Sequence, residues 1–234
     1  MNLIKLDWDT SFFEKPVFKC DITNFIEFEM AQSQLPSPAL CYFFSKQKIS
    51  TLDKYLFDEK VIFRLQTNTY TRVEQQTTSV ECKTVKEQPI ALFSIASLAT
   101  TSSQHSRFRK DPEIPNKKVD ELYLKWVEKA YQQPKNHEIF LAYADRVLAG
   151  LISCTVKDDK MTIELVSTLP EFQNRGIGSY LMTAILNFAK GNGIEEIYVT
   201  TQLDNTPACR LYKKYGFKVY DNSYVYHYHK DKKN

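Results

Sequence analysis

The stretch Gln173-Asn-Arg-Gly-Ile-Gly-Ser179 constrains this chain more than any other. It stands between residues 163–168, dense in strand formers, and residues 179–190, a helix-like run, and so reads as a strand-to-helix junction. The first amides of a helix have no partner inside it, and the helix dipole adds partial positive charge there. Gly176 and Gly178 allow positive φ and close approach by a bulky group, which suits a diphosphate. A tight turn with no ligand satisfies the same residues. The lysine and threonine of a P-loop are missing, and Leu181 stands where a dinucleotide fingerprint needs its third glycine.

Any anion must be met locally, because 31 basic and 28 acidic side chains leave a formal charge of only +3. That balance disfavours a nucleic-acid partner held by phosphate neutralisation. With 43% hydrophobic residues among 234, the chain can bury the core of one large or two small domains. The start, Met1-Asn-Leu-Ile-Lys-Leu-Asp-Trp-Asp9, has two aspartates where a secretory signal is apolar, and no run reaches the length of a membrane span. Five cysteines, odd in number and never as C-x-x-C, disfavour a disulfide framework or zinc site, so the expected location is cytoplasmic.

Along the chain, residues 3–8, 16–22 and 39–45 read as strands, 23–34 and 50–57 as helices, and 61–73 as extended. The polar stretch 74–88 is the expected boundary between an N-terminal α/β domain, residues 1–80, and a second domain, residues 89–234. Beyond Ser106-Arg-Phe-Arg-Lys-Asp-Pro112, a long helix carries Leu122, Trp126, Val127 and Ala130 on one face. Strands at 138–143, 147–156 and 161–168 follow, joined by turns short enough for antiparallel hairpins. After the junction helix come a strand at 197–201, a helix opened by Asn205 and Pro207 and stopped by Gly216, and a final hairpin of residues 217–220 and 223–229.

Gln173 to Gly178 has the form Q-x-x-G-x-G after a strand and Pro170, while the run Asn205-Thr-Pro-Ala-Cys-Arg-Leu-Tyr-Lys-Lys-Tyr-Gly-Phe217 opens a helix on asparagine and closes it on Y-x-x-x-G-F. In this order the two motifs resemble the GNAT superfamily of acetyl-CoA-dependent N-acyltransferases. The resemblance implies an α/β fold with a mixed, mostly antiparallel sheet flanked by helices, preceded by a smaller GNAT-like domain. It implies that Val166, Ser167 and Thr168 pair with the pantetheine of acetyl-CoA, and that Asn205 and Ala208 touch it from the other side. It places the pyrophosphate on Gln173, Asn174, Arg175, Gly176, Ile177, Gly178 and Ser179. Four further segments, Leu6-Asp-Trp-Asp-Thr-Ser-Phe-Phe13, Ser106-Arg-Phe-Arg109, Tyr123-Leu-Lys-Trp-Val-Glu-Lys-Ala130 and Thr201-Gln-Leu-Asp-Asn-Thr206, resemble the branch of TDP-fucosamine acetyltransferases. That likeness implies a polysaccharide-biosynthesis transferase that acetylates a nucleotide sugar, a TDP-linked 4-amino-4,6-dideoxyhexose.

Amide formation from a thioester needs a neutral amine and a thiolate that can be protonated. Tyr212 stands where the resemblance puts the general acid, although helix packing would also explain it. Glu164 shares strand parity with Val166 and Thr168, which puts it on one face with them as a base or as a solvated strand residue. Arg107 and Arg109 alternate with Ser106 and Phe108, as a diphosphate clamp or a solvated pair. His105, His137, His227 and His229 show no helical metal-ligand spacing, so no metal is expected. A peptide or small-amine acetyltransferase and a non-catalytic acetyl-CoA-binding module are the alternatives, and a homodimer stays open.

Overall fold

The computed structural model describes residues 2–71 and 80–231, so residues 74–79 of the expected boundary and the last two residues of the extended stretch 61–73 lie outside the described residues. The chain opens with β1 (Ile4–Lys5) and α1 (Asp7–Phe13), where a single strand over 3–8 was expected. Asp7 and Asp9 in the first turn favour the helix through its dipole, and Phe12 and Phe13 pack on the core. Then come β2 (Val17–Asp21), α2 (Phe25–Gln34), β3 (Ala39–Ser45), a 3-10 segment (Ser50–Tyr55) and β4 (Leu56–Gln66). α2 is capped by Asn24, whose side chain accepts from the Glu27 amide.

The polar stretch contains a strand, β5 (Val80–Thr84). Val80 and Cys82 pack on the core while Glu81 and Lys83 pair outside, the alternation of an edge strand that its polar half conceals in sequence. Short α3 (Ala96–Thr101) and α4 (Arg107–Lys110) lead to α5 (Asn116–Gln132). β6 (His137–Ala144), β7 (Val147–Lys157) and β8 (Lys160–Thr168) form an antiparallel meander, followed by α6 (Ile177–Gly191), β9 (Glu196–Gln202), α7 (Thr206–Lys214) and β10 (Lys218–Lys230).

These strands make one ten-stranded sheet in the order β1-β2-β3-β10-β4-β9-β8-β7-β6-β5. Two of its pairs are parallel, β2 with β3 and β8 with β9. The expected final hairpin is instead one strand: β10 lies between β3 and β4, so its halves are hydrogen-bonded to neighbours and not to each other. The polar Asp221-Asn222 pair, which reads as a turn, sits at a register shift between Val219 and Asp221. Through β10 the sheet is continuous across both halves of the sequence.

Helices α6 and α7 cover one face of the sheet, with Leu181, Ile185 and Leu186 buried against Phe140, Ile152 and Ile163. The other face meets α3, α4 and α5, where Leu98, Phe108, Leu122 and Val127 close over Leu141, Leu151 and Leu165. The α6 contact depends on Gly150 of β7. A Cβ there would stand 2.6 Å from Ile177 Cγ2 and 3.0 Å from the Ser167 carbonyl oxygen. Gly150→Ala should therefore destabilise the fold by about 1–3 kcal/mol, through overpacking. Urea unfolding checks this, and an unchanged midpoint would contradict the packing described.

Candidate active site

Strands β8 and β9 pair only from Lys160 opposite Glu196 to Ile163 opposite Val199, and then diverge. The register between β7 and β8 shifts at the same level: Cys154 faces Ile163 and Ser153 faces Leu165, leaving Glu164 as the extra residue of a β-bulge. The β8 edge beyond it, residues 164–168, has no strand partner on the β9 side. A cleft of about 880 Å³ opens along this split and reaches both faces of the sheet.

On the α6 and α7 face the cleft is lined by Val166, Ser167 and Thr168 and, from the junction loop, by Gln173, Asn174 and residues 176–179, while Arg175 stands outside the lining. Asn174, at φ 60°, and Gly176, at φ 81°, take left-handed backbone, which glycine adopts without cost and asparagine tolerates. Among the described residues no acceptor pairs with the amides of residues 174–178. They cluster at the N-terminus of a 15-residue helix and can bind an anion. A Cβ on Gly178 would lie 3.3 Å from Leu211 Cδ2, so this glycine also lets α6 and α7 approach. The Arg175 guanidinium is paired with Asp145 at 2.9 Å and lies over the Phe172 ring, while Lys214 donates to Ser179 Oγ at 3.0 Å.

Asn205 caps α7, its side-chain oxygen accepting from the Ala208 amide at 3.3 Å, and both residues line the cleft. Tyr212, two turns along, packs its ring against Phe63 and Phe217, 5.7 and 5.9 Å between centroids. It also borders the cleft, and its hydroxyl makes no hydrogen bond among the described residues. Burial, reinforced by the neighbouring Cys209 thiol, pushes the phenol pKa up, so the side chain stays protonated and can donate.

The bulge moves Glu164 to the other face. Ile163 and Val166 both point into the α6 core while Leu165 points toward α5, so Glu164 and Val166 lie on opposite sides despite their even spacing. Its carboxylate stands 3.8 Å from His137 Nε2 and still borders the cleft; burial raises its pKa, and His137 and Lys129 oppose the rise. Arg107 lines the same side of the cleft, but Arg109 does not. The Ser-Arg-Phe-Arg segment is one helical turn rather than extended chain, so alternate residues diverge, and Arg109 pairs with Asp120 and donates to Ser103.

Sequence reasoning missed Asp58 and Lys60, two cleft residues on β4. Asp58 Oδ1 is buried without a partner, and burial pushes its carboxyl up to about 6 against the pull of Arg107 and Lys110. The strand pattern places both side chains on one face, but only tertiary structure brings α4 over them. Near the end of α4, Asp111 Oδ2 meets His227 Nδ1 at 2.6 Å and His229 Nε2 at 2.8 Å. These three groups could converge on a cation, yet the distances are those of direct hydrogen bonds, and Lys15 Nζ lies 3.2 Å from the other His229 nitrogen. We read the cluster as a pin between α4 and β10. Burial alone would raise the Asp111 pKa, but hydrogen bonds from the two imidazoles outweigh it and hold the carboxyl below its usual range.

A divided sheet with a vacant amide cluster at the mouth of the split defines the class of fold seen in GCN5-related N-acetyltransferases. A solved member from Sphaerobacter thermophilus superposes with a TM-score of 0.61 at 12% identity, over 88% of this chain and 64% of that one. The model of the acetyltransferase (GNAT) family matches residues 102–217, and this part of the chain is a GNAT acetyltransferase domain. The spore coat polysaccharide biosynthesis protein SpsD of Bacillus subtilis is 25% identical over 133 residues, 57% of this chain and 46% of that protein. The dTDP-fucosamine acetyltransferase of Escherichia coli is 28% identical over 141 residues, 60% of each. The chain thus spans about half the length of these curated relatives. Among the described residues no helix is long and apolar enough to cross a membrane.

Burial of His227 lowers its pKa to about 4, so acid favours the unfolded chain, whose imidazole keeps the ordinary value near 6.5. The His227 contribution to stability should fall by about 2 kcal/mol between pH 7 and pH 5 as the unfolded state takes up this proton, a loss that protonation of Asp58 in the folded state partly offsets in the whole protein. Urea unfolding of the wild type and His227→Gln checks it: the variant should lack this increment, and parallel profiles would contradict it.

Proposed function

We propose that the protein transfers an acetyl group from acetyl-CoA to the amino group of a nucleotide-linked amino sugar, a TDP-4-amino-4,6-dideoxyhexose. One observation carries the reading: the free edge of β8, the vacant amides of residues 174–178 and Tyr212 all border a single cleft through the sheet. Pantetheine adds as a strand along Val166, Ser167 and Thr168, between them and Asn205 and Ala208. The pyrophosphate sits on Gln173, Asn174, Arg175, Gly176, Ile177, Gly178 and Ser179 at the α6 N-terminus. The acceptor enters from the α4 and α5 side, where Arg107 borders the cleft. The kinship with two proteins of polysaccharide and sugar-nucleotide chemistry supports a sugar acceptor.

In the reaction the amine nitrogen attacks the acetyl carbonyl, a C–N bond forms and the C–S bond breaks. Tyr212 donates to the departing thiolate. Full transfer from a phenol of pKa about 10 to a thiolate of conjugate pKa about 8.5 is uphill by roughly 2 kcal/mol in water, so a hydrogen bond that strengthens as sulfur gains charge is the main contribution. Glu164, on the acceptor face, takes the proton leaving the amine through water. The N-terminal portion serves the acetyltransferase domain through Asp9, Phe44, Asp58 and Lys60, which wall the acceptor side. Cys20, Cys41, Cys154 and Cys209, buried and outside any disulfide, fit a cytoplasmic enzyme.

Acetyl-CoA offered with TDP-4-amino-4,6-dideoxyhexoses should release thiol and yield the acetylated sugar by mass, whereas turnover of peptide amines alone would reject the acceptor. Tyr212→Phe should lower kcat by about 100-fold or more and leave acetyl-CoA binding within about twofold. Unchanged turnover would remove Tyr212 from the chemistry.

A further inference from the structure

The acceptor side of the cleft holds two cations that stand outside any ion pair among the described residues. The Arg107 guanidinium lies over the rings of Tyr42, Phe108 and Phe44, at 4.5, 4.6 and 5.7 Å from their centroids. Lys60 Nζ, from β4, lies 5.4 Å from the same Phe44 ring. Both side chains line the cleft and both are half-buried. Arg107 and Lys60 make no ion pair or side-chain hydrogen bond among the described residues. Five guanidinium and three ammonium N–H donors are therefore unmatched by protein acceptors. Other cations of the chain behave differently: Arg109 is tied to Asp120, Arg175 to Asp145 and Lys110 to Asp204.

Elementary electrostatics says what would fill the place. Like charges held together in partly buried surroundings are costly without a counter-ion, and burial with the neighbouring Arg107 holds the Lys60 pKa below its ordinary value. Asp58 and Asp9 border the same side and both feel the pull of Arg107, and Asp221 and Asp58 support the Lys60 charge, but none of these carboxyls closes to an ion pair with either cation: Asp58 is also engaged by Gln202, and Asp9 faces the Tyr42 hydroxyl at 3.5 Å. Aromatic contacts fix the guanidinium plane, which leaves its fork for two oxygens of a planar or tetrahedral anion. Lys60 adds a point charge beside it.

We propose that Arg107 and Lys60 form the seat for the phosphate groups of the acceptor, so that the amines this enzyme accepts are phosphorylated ones. This rests on the acetyltransferase reading and deepens it. Lys60 supplies the second cation in place of Arg109, and the N-terminal part of the chain thereby contributes to acceptor choice. The seat lies on the α4 face of the sheet, separate from the amides at the α6 N-terminus that serve the donor. A peptide amine brings no phosphate to this place and leaves both cations unmatched.

The test is titration of inorganic pyrophosphate into protein already saturated with CoA, which occupies the donor cradle. Wild type should bind it, Lys60→Gln and Arg107→Gln should bind at least tenfold more weakly, and Lys60→Arg should restore most of the affinity. Lys48→Gln, at an exposed site paired with Asp53, should match wild type. CoA binding within twofold of wild type shows each variant folded; if Arg107→Gln fails this check, Lys60→Gln and its arginine counterpart decide alone. No binding by the CoA-saturated wild type, or equal binding by Lys60→Gln, would overturn the seat. Pyrophosphate binding that needs Lys60, together with no turnover of TDP-amino sugars, would keep the seat and reject only that sugar nucleotide.

Discussion

The parting of β8 from β9 is the constraint on which the rest of the structure depends. Past Ile163 and Val199 the two strands no longer bond, and the β9-side edge of residues 164–168 faces open space while the other edge stays paired with β7. An unpaired backbone group costs about 1–3 kcal/mol when buried, so a split of this length persists only where something holds the strands apart or a ligand completes the pairing. The bulge at Glu164 bends β8, and Gly150 lets α6 press onto the sheet beside it. The α6 N-terminus is thereby delivered to the mouth of the split.

That division gives each face of the sheet its own chemistry. The α6 and α7 face offers backbone amides and a protonated phenol; the α4 and α5 face offers carboxylates, cations and aromatic rings. Such separation suits the proposed reaction between a bulky anionic donor and a charged acceptor, in which only the thioester and the amine meet in the gap. β10 joins the halves: lying between β3 and β4, it carries His227, which anchors Asp111 behind the helix that presents Arg107.

The donor side was legible because its parts are contiguous. Glycines, a preceding strand and a following helix occupy one short stretch, and the capping asparagine, Tyr212 and the terminal glycine occupy another. The proposed acceptor side was legible only at Arg107, since Lys60 and Trp126 reach it from two other elements that meet α4 only in the tertiary fold. Local geometry also overturned two parity arguments. The bulge reversed the face of Glu164, and one turn of helix separated Arg109 from Arg107. The edge strand β5 and the helix α1 were hidden by polar residues that belong on their solvent sides.

Amide hydrogen exchange with and without acetyl-CoA reads the unpaired backbone groups of the split directly. Binding should bring strong new protection to the amides at the free edge of β8 and at residues 174–178. Protection confined to other segments, with these amides exchanging as before, would contradict donor binding at the split.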